Sequence, residues 1–271
     1  MTAKIHPSAI INPEAKLADG VEIGPYAVIG ECVEIGSGTY VGPHCVIEFS
    51  RIGRNNRFTA SAFIGMPPQD WGYHGEKTML EMGNENIIRE AVSLHRGSHA
   101  TALTKIGSRC MFMANSHVGH DCRIGDDVVM VNSAAAAGHV EIGDKASISG
   151  LVGMHQFIRI GIMTMLGGGS MVSQDIPPYC RAQGDRARLV GLNLVGMRRN
   201  GFSRETIKSV KDAYTTLFLS GLSLKEAVDS LKSRDIAPEA ILMAEFCKKS
   251  KRGIARPRIL RGKAAEAADD E

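Results

Sequence analysis

Aliphatic residues recur at every sixth position along most of this chain. Starting at Ile5, the series runs through Ile11, Leu17, Ile23, Ile29, Ile35, Val41 and Ile47 without a polar interruption. Four residues after each of the first seven stands a small or β-branched residue: Ala9, Ala15, Val21, Ala27, Val33, Thr39 and Cys45. Glycine often follows the aliphatic residue, as at Gly24, Gly30, Gly36 and Gly42. The frame slips by one residue, resumes at Ile52, Phe58 and Ile64, and returns in phase at Met82, Ile88 and Leu94. From Ile106 it is unbroken through Phe112, Val118, Ile124, Met130, Ala136, Ile142, Ile148, Met154, Ile160, Leu166 and Val172. With 44% apolar residues, twelve such positions in a row arise by chance on the order of once in twenty thousand.

An amphipathic helix needs apolar spacing near 3.6 residues, and a half-buried strand alternates by two. A period of six fits neither. It predicts a triangular coil in which each hexad makes one short flat side and then turns a corner. Three hexads close a coil of about 18 residues, and stacked coils pair as parallel strands about 4.8 Å apart. Roughly nine or ten coils make a prism about 45 Å long. The aliphatic residue is expected to point inward and the small one to sit near the corner. The glycine after the aliphatic residue is expected to ease the turn through a positive φ. The general rule for parallel crossovers favours right-handed connections.

Two stretches leave the pattern. Residues 65–81 hold the only tryptophan and the Pro67-Pro68 pair, and read as a long loop on a rigid scaffold. Residues 97–105 read as a second, shorter loop. The repeat ends near Asp175-Ile176-Pro177-Pro178. After a connecting stretch, Ser203 opens a helix with Ile207, Val210, Tyr214, Leu217 and Phe218 on one face. Ser223 and Glu226 form a capping box for another helix, and a third begins at Pro238. The predicted organisation is a β-helix over 1–180, a linker and helical domain over 181–255, and a basic, then acidic, disordered tail over 256–271.

Composition narrows the function classes. Aromatics make up only 5%, which suits a core of aliphatic layers. A net charge of +3 does not mark a nucleic-acid binder. The six cysteines contain no C-x-x-C pair and read as small buried fillers in a reducing compartment. No signal peptide or membrane span is visible, so a cytoplasmic location is expected.

The histidines are the candidate chemistry. Six of nine fall in or beside the second half of the repeat: His95, His99, His117, His120, His139 and His155. None occupies the apolar position. His117-Val-Gly-His120-Asp121 is the densest cluster, and the spacing to His139 and His155 predicts a ladder of imidazoles along one edge. Acyl transfer to a hydroxyl or amine needs a base of near-neutral pKa, which histidine supplies. Asp121 is placed to orient the His120 imidazole, and the Gly138 amide, one coil on, to stabilise an oxyanion. The same histidines suit a zinc site of the hexapeptide-repeat carbonic anhydrase type. A purely structural rod is a third reading, against which the 65–81 loop argues.

Longer segments carry a closer resemblance: Gln69-Asp70, Ile88 to Gly97, Asn115 to Cys122, Ala137 to Val140, His155-Gln156-Phe157, Gln174 to Tyr179, Ala182-Gln-Gly184 and Arg198 to Glu205. Together they resemble the hexapeptide-repeat UDP-N-acetylglucosamine acyltransferases. That resemblance covers about residues 5–254 and implies a left-handed parallel β-helix with a small C-terminal helical domain. It implies a cofactor-free homotrimer with sites between adjacent prisms. The reaction implied is the first step of lipid A biosynthesis, transfer of a 3-hydroxyacyl chain from acyl carrier protein to UDP-N-acetylglucosamine. His120 matches the general base, Asp121 its orienting carboxylate and Gly138 the oxyanion amide. Gln69 belongs to the matching loop pair, and Asp70, His117 and His139 match residues placing the sugar and the acyl chain. His95, His155, Gln156, Asn193 and Arg199 match the nucleotide and phosphate region, and Gly168 the acyl-chain ruler. The basic Arg198, Arg199, Arg204 and 248–252 run suit an acidic carrier. Gly72 stands where the family carries a lysine, so either His74 or Lys77 is expected to substitute, or substrate contact differs there. N-acyl transfer to a 3-amino sugar and a coenzyme A donor remain alternatives within the class.

Overall fold

Most hexads fold as a two-residue strand whose second member faces inward, as in Glu22–Ile23 and Val28–Ile29. Side chains alternate across a strand, so one aliphatic residue per hexad is enough to fill the interior. Ile23, Ile29, Ile35, Val41 and Ile47 are buried, as are the small residues Val21, Ala27 and Cys45. The computed structural model describes residues 2–258, and residues 259–271, most of the expected tail, lie outside it.

The strands form three flat faces of a left-handed parallel β-helix. The first is an 11-stranded sheet beginning at Lys4–Ile5, the second a 9-stranded sheet beginning at Ile10–Ile11, and the third an 8-stranded sheet that includes Lys16–Leu17. Register places Ile5 on Ile23 and Ile23 on Val41, stacking the aliphatic residues into continuous columns. The frame slip is a shortened corner between Val46–Ile47 and Ser50–Ile52, where Phe49 adopts φ 40°.

The corners correct one expectation. Positive φ falls three residues after the inward aliphatic, at Tyr26, Cys32, His44, Asp121 and His139 among others, not at the following glycine. Gly42 has no positive φ; its role is close approach. A β-carbon there would lie 1.8 Å from the Thr59 carbonyl oxygen of the next coil. A corner position also leaves Cys32 exposed, whereas the other five cysteines are buried as expected.

Both loops leave at the corner between the second and third faces, and both are shorter than expected. Phe63–Met66 and Met79–Met82 are strands, so the first loop spans 67–78. Leu103–Ile106 is a strand, so the second spans 96–102.

The connecting stretch holds more structure than its sequence announced. Cys180–Gln183 and Arg188–Leu192 pair antiparallel at the end of the first face. Helix α1 (Leu194–Arg199) is capped by Asn193. Helices α2 (Arg204–Phe218), α3 (Leu224–Lys232) and α4 (Pro238–Lys248) start where Ser203, the Ser223 capping box and Pro238 place them. They meet the last coils through Tyr179 against Phe202 and Arg159 over the Phe246 ring. Residues 254–258 return alongside Asp175 and Leu189. Among the described residues no helix is long and apolar enough to cross a membrane.

Candidate active site

His120 sits two residues past the inward Val118, on the corner between Val118 and Ile124. Its Nδ1 lies 2.7 Å from Asp121 Oδ2. Gly138 occupies the same hexad position one coil on and packs on the imidazole: a β-carbon there would meet His120 Nε2 at 2.6 Å. No hydrogen bond among the described residues uses the Gly138 N–H.

Asp121 takes the positive-φ corner position, with φ 60°, and its side chain is fully buried. Aspartate tolerates this conformation better than most residues. Burial alone would raise its pKa. Hydrogen bonds from Ser98, Thr101 and His120 outweigh that and hold the carboxyl at about 2. His139, one coil beyond Asp121, puts Nε2 3.7 Å from Asp121 Oδ2 and stacks its ring on Phe157 with centroids 4.4 Å apart. Burial lowers the His139 pKa, while the charges of Asp121 and Asp70 oppose that shift.

His95 and His117 form a second imidazole pair, edge to face at 4.9 Å. Ser93 Oγ lies 2.8 Å from His117 Nδ1. Burial, then the charges of His117 and His120, push the His95 imidazole down to about 4. Its Nδ1 has no hydrogen-bond partner among the described residues. Burial likewise lowers His117.

These side chains open onto a cleft of about 710 Å³ along the second face. Gln69, His95, His117, His120, Gly138, His155 and Gln156 line it, with Asp121 and His139 directly behind. The expected single-edge ladder is instead a patch. His117 precedes the inward Val118, His95 and His155 follow Leu94 and Met154 by one, His120 follows Val118 by two, and His139 follows Ala136 by three. Four neighbouring columns therefore converge.

Besides Asp121 and His139, four expected residues do not line this cleft: Asp70, Asn193, Arg199 and Gly168. Asn193 caps α1 and donates Nδ2 to the Met163 carbonyl at 2.8 Å. Arg199 lies in the last turn of α1. Gly168 sits on another corner, where a β-carbon would meet only the Gly150 carbonyl, at 3.5 Å. In the loop, Asp70 accepts from Gly72 N–H at 3.0 Å, and neither His74 nor Lys77 lines the cleft. The loop is tethered by Arg96, whose buried guanidinium donates to Gly65 O and Tyr73 Oη and lies over the Phe49 ring.

His120, Asp121 and His139 are also close enough to share a metal ion. The hydrogen-bonding of Asp121 opposes that use, since four groups already donate to its two oxygens.

Comparison with known proteins bears on the chemistry. Residues 175–255 match the family described as Udp N-acetylglucosamine O-acyltransferase, domain 2, and residues 2–37 and 103–134 match the bacterial transferase hexapeptide repeat. A relative from Myxococcus xanthus, named acyl-[acyl-carrier-protein]--UDP-N-acetylglucosamine O-acyltransferase, is 48% identical over 94% of this chain and 100% of its own. This chain belongs to the UDP-N-acetylglucosamine O-acyltransferase family. A relative of the same name from Burkholderia orbicola is 45% identical over 93% of this chain and 99% of its own. The solved LpxA of Acinetobacter baumannii superposes with a TM-score of 0.91 at 46% identity, covering 93% of this chain and 99% of that one. The chain is thus an acyltransferase of this family.

Sequence reasoning missed several residues of this candidate site. Ser98 and Thr101 donate to Asp121, Ser93 bonds His117, and Met171, Asp185 and Arg186 line the far end of the cleft. Ser93 stands 24 residues before His117, one coil plus the six-residue loop insertion, so counting the insertion would have found it. Ser98 and Thr101 lie outside the repeat, where no register applies.

Proposed function

We propose that this acyltransferase moves a 3-hydroxyacyl chain from acyl carrier protein to the 3-hydroxyl of UDP-N-acetylglucosamine, the first step of lipid A biosynthesis, in the cytoplasm and without a cofactor. The observation that carries the reading is the His120–Asp121 pair at 2.7 Å, opening onto a cleft beside Gly138. With Nδ1 engaged by Asp121, Nε2 is the nitrogen that takes the proton of the attacking hydroxyl. The hydroxyl oxygen adds to the thioester carbonyl, and the Gly138 N–H meets the oxyanion. Collapse expels the carrier's thiolate, and the imidazolium returns the proton to it. His117, His139, Gln69 and Asp70 place the sugar and acyl chain, while His95, His155 and Gln156 serve the nucleotide end.

The proposal includes a homotrimer. Apolar side chains face outward on the first and second faces, among them Ile87, Met165, Ile10 and Phe63. Asn193, Arg199 and Gly168, off the cleft in one chain, would come from a neighbouring copy. The β-helix over 1–180 carries the base in this scheme, and the helical part over 181–255 receives the acidic carrier.

The test is a mass-spectrometric assay with a panel of 3-hydroxyacyl carrier proteins, acyl coenzyme A, and UDP-sugars bearing a 3-hydroxyl or 3-amino group. Carrier-dependent O-acylation is expected, with His120→Ala losing several orders of magnitude while remaining folded. Near-normal turnover in that variant would overturn the assignment. A zinc hydratase reading has the His120–Asp121–His139 cluster in its favour, and predicts stoichiometric zinc in purified protein.

A further inference from the structure

The loop at 96–102 does more than interrupt the repeat. Leu94 and Ile106, its flanking inward residues, are two hexads apart where the regular repeat needs one. The six extra residues fold back on themselves, with Ala102 N–H donating to Ser98 O at 2.8 Å. At the neck stands Gly97, where a β-carbon would lie 2.1 Å from Leu103 N.

This closed loop delivers its donors to one carboxylate. Ser98 N–H lies 3.2 and 3.1 Å from Asp121 Oδ1 and Oδ2, and Thr101 N–H lies 3.2 Å from Oδ1. The Thr101 hydroxyl donates to Oδ1 as well. Asp121 Oδ2 is the oxygen that faces His120. The loop therefore saturates Oδ1 through Thr101, shares the Ser98 amide between the two oxygens, and leaves Oδ2 turned to the imidazole. A carboxylate buried at a corner has few ways to be solvated, and charge-assisted hydrogen bonds both satisfy it and fix its rotation.

We infer that Thr101 is a positioning residue of the acyl-transfer site, its hydroxyl setting the orientation of Asp121 and through it that of the His120 base. This rests on the assignment of His120 as base. Thr101 touches neither substrate nor the reacting atoms in this scheme. Its contribution passes entirely through Asp121, and the loop acts as a preformed clamp.

The experiment is a double-mutant cycle on the full-length protein with the acyl-carrier assay. Thr101→Val keeps the shape and removes the donor. It should lower kcat by about tenfold with the KM for the nucleotide sugar unchanged. Thr101→Ser should restore most of the rate. In the Asp121→Ala background the Thr101→Val change should cost nothing further, because the carboxylate it acts on is gone. Melting temperatures report folding in parallel. Independent, multiplicative losses in the double variant, or wild-type kcat in folded Thr101→Val, would overturn the inference. Failure of the base assignment shows separately, as turnover retained in His120→Ala.

Discussion

Gly138 packs so closely on His120 that a β-carbon at position 138 would stand 2.6 Å from Nε2 and 2.7 Å from Cε1. The imidazole is therefore held on two sides, by Asp121 at Nδ1 and by the backbone of the next coil. Neither contact tolerates displacement, because the coil behind each is fixed by parallel pairing.

From this packing, Gly138→Ala should disable catalysis without unfolding the chain. The backbone at 138 has no positive φ, so the added methyl acts on the ring and not on the turn. In the proposed mechanism, loss of alignment between base and oxyanion donor should lower kcat by about 100-fold. Calorimetry should find nucleotide-sugar binding largely retained and melting nearly unchanged. Wild-type turnover would refute the tight-packing account.

Gly42→Ala should do the opposite, harming stability far from the cleft. Its β-carbon would fall 1.8 Å from the Thr59 carbonyl oxygen, a backbone atom that cannot retreat without parting two coils. A loss of about 2–3 kcal/mol is expected from denaturant unfolding. Gly168→Ala is the control, meeting only the Gly150 carbonyl at 3.5 Å, and should shift stability by less than about 0.5 kcal/mol.

Acid should destabilise the fold in two windows. His95 is held neutral, its pKa pushed from 6.5 down to about 4 chiefly by burial. The unfolded chain thus binds the proton first, and stability should fall as pH drops from about 6.5 to 4, by on the order of 3 kcal/mol. His117 shifts in the same direction. Asp121 works lower down. Its stabilisation is complete above about 3.9, the unfolded value, and disappears as pH falls through about 2. Urea midpoints measured at fixed protein concentration should trace the first window, and His95→Asn should flatten it. A pH-independent midpoint between 7 and 4.5 would contradict the buried neutral imidazole.

The legible part of this protein is whatever the period of six controls. Inward residues such as Ile29 and Phe112, and the pairing of His120 with Gly138 one coil apart in sequence count, follow from position alone. The imidazole patch reads as a ladder only while spacings of 19 and 16 residues are treated as one coil, although each offset moves a side chain to another column. The turn glycine is misplaced for a related reason. Sequence shows where glycine recurs, but not whether it is needed for φ or for clearance, and at Gly42 clearance decides. Ser98, Thr101 and Arg96 are invisible as a group because loop contacts obey no repeat. The hairpin at 180–192 and α1 carry too few residues to show a period.

The two insertions also differ by a whole unit of the scaffold. Relative to the regular six-residue step, the chain from Ile64 to Met82 carries twelve extra residues and that from Leu94 to Ile106 carries six. The strands on either side of each insertion are held by parallel pairing to neighbouring coils, so every strand downstream keeps its facing. The corner between the second and third faces therefore behaves as a cassette slot. Segments can be exchanged there to remodel what hangs over the cleft, while pairing keeps the wall that carries His120 in register.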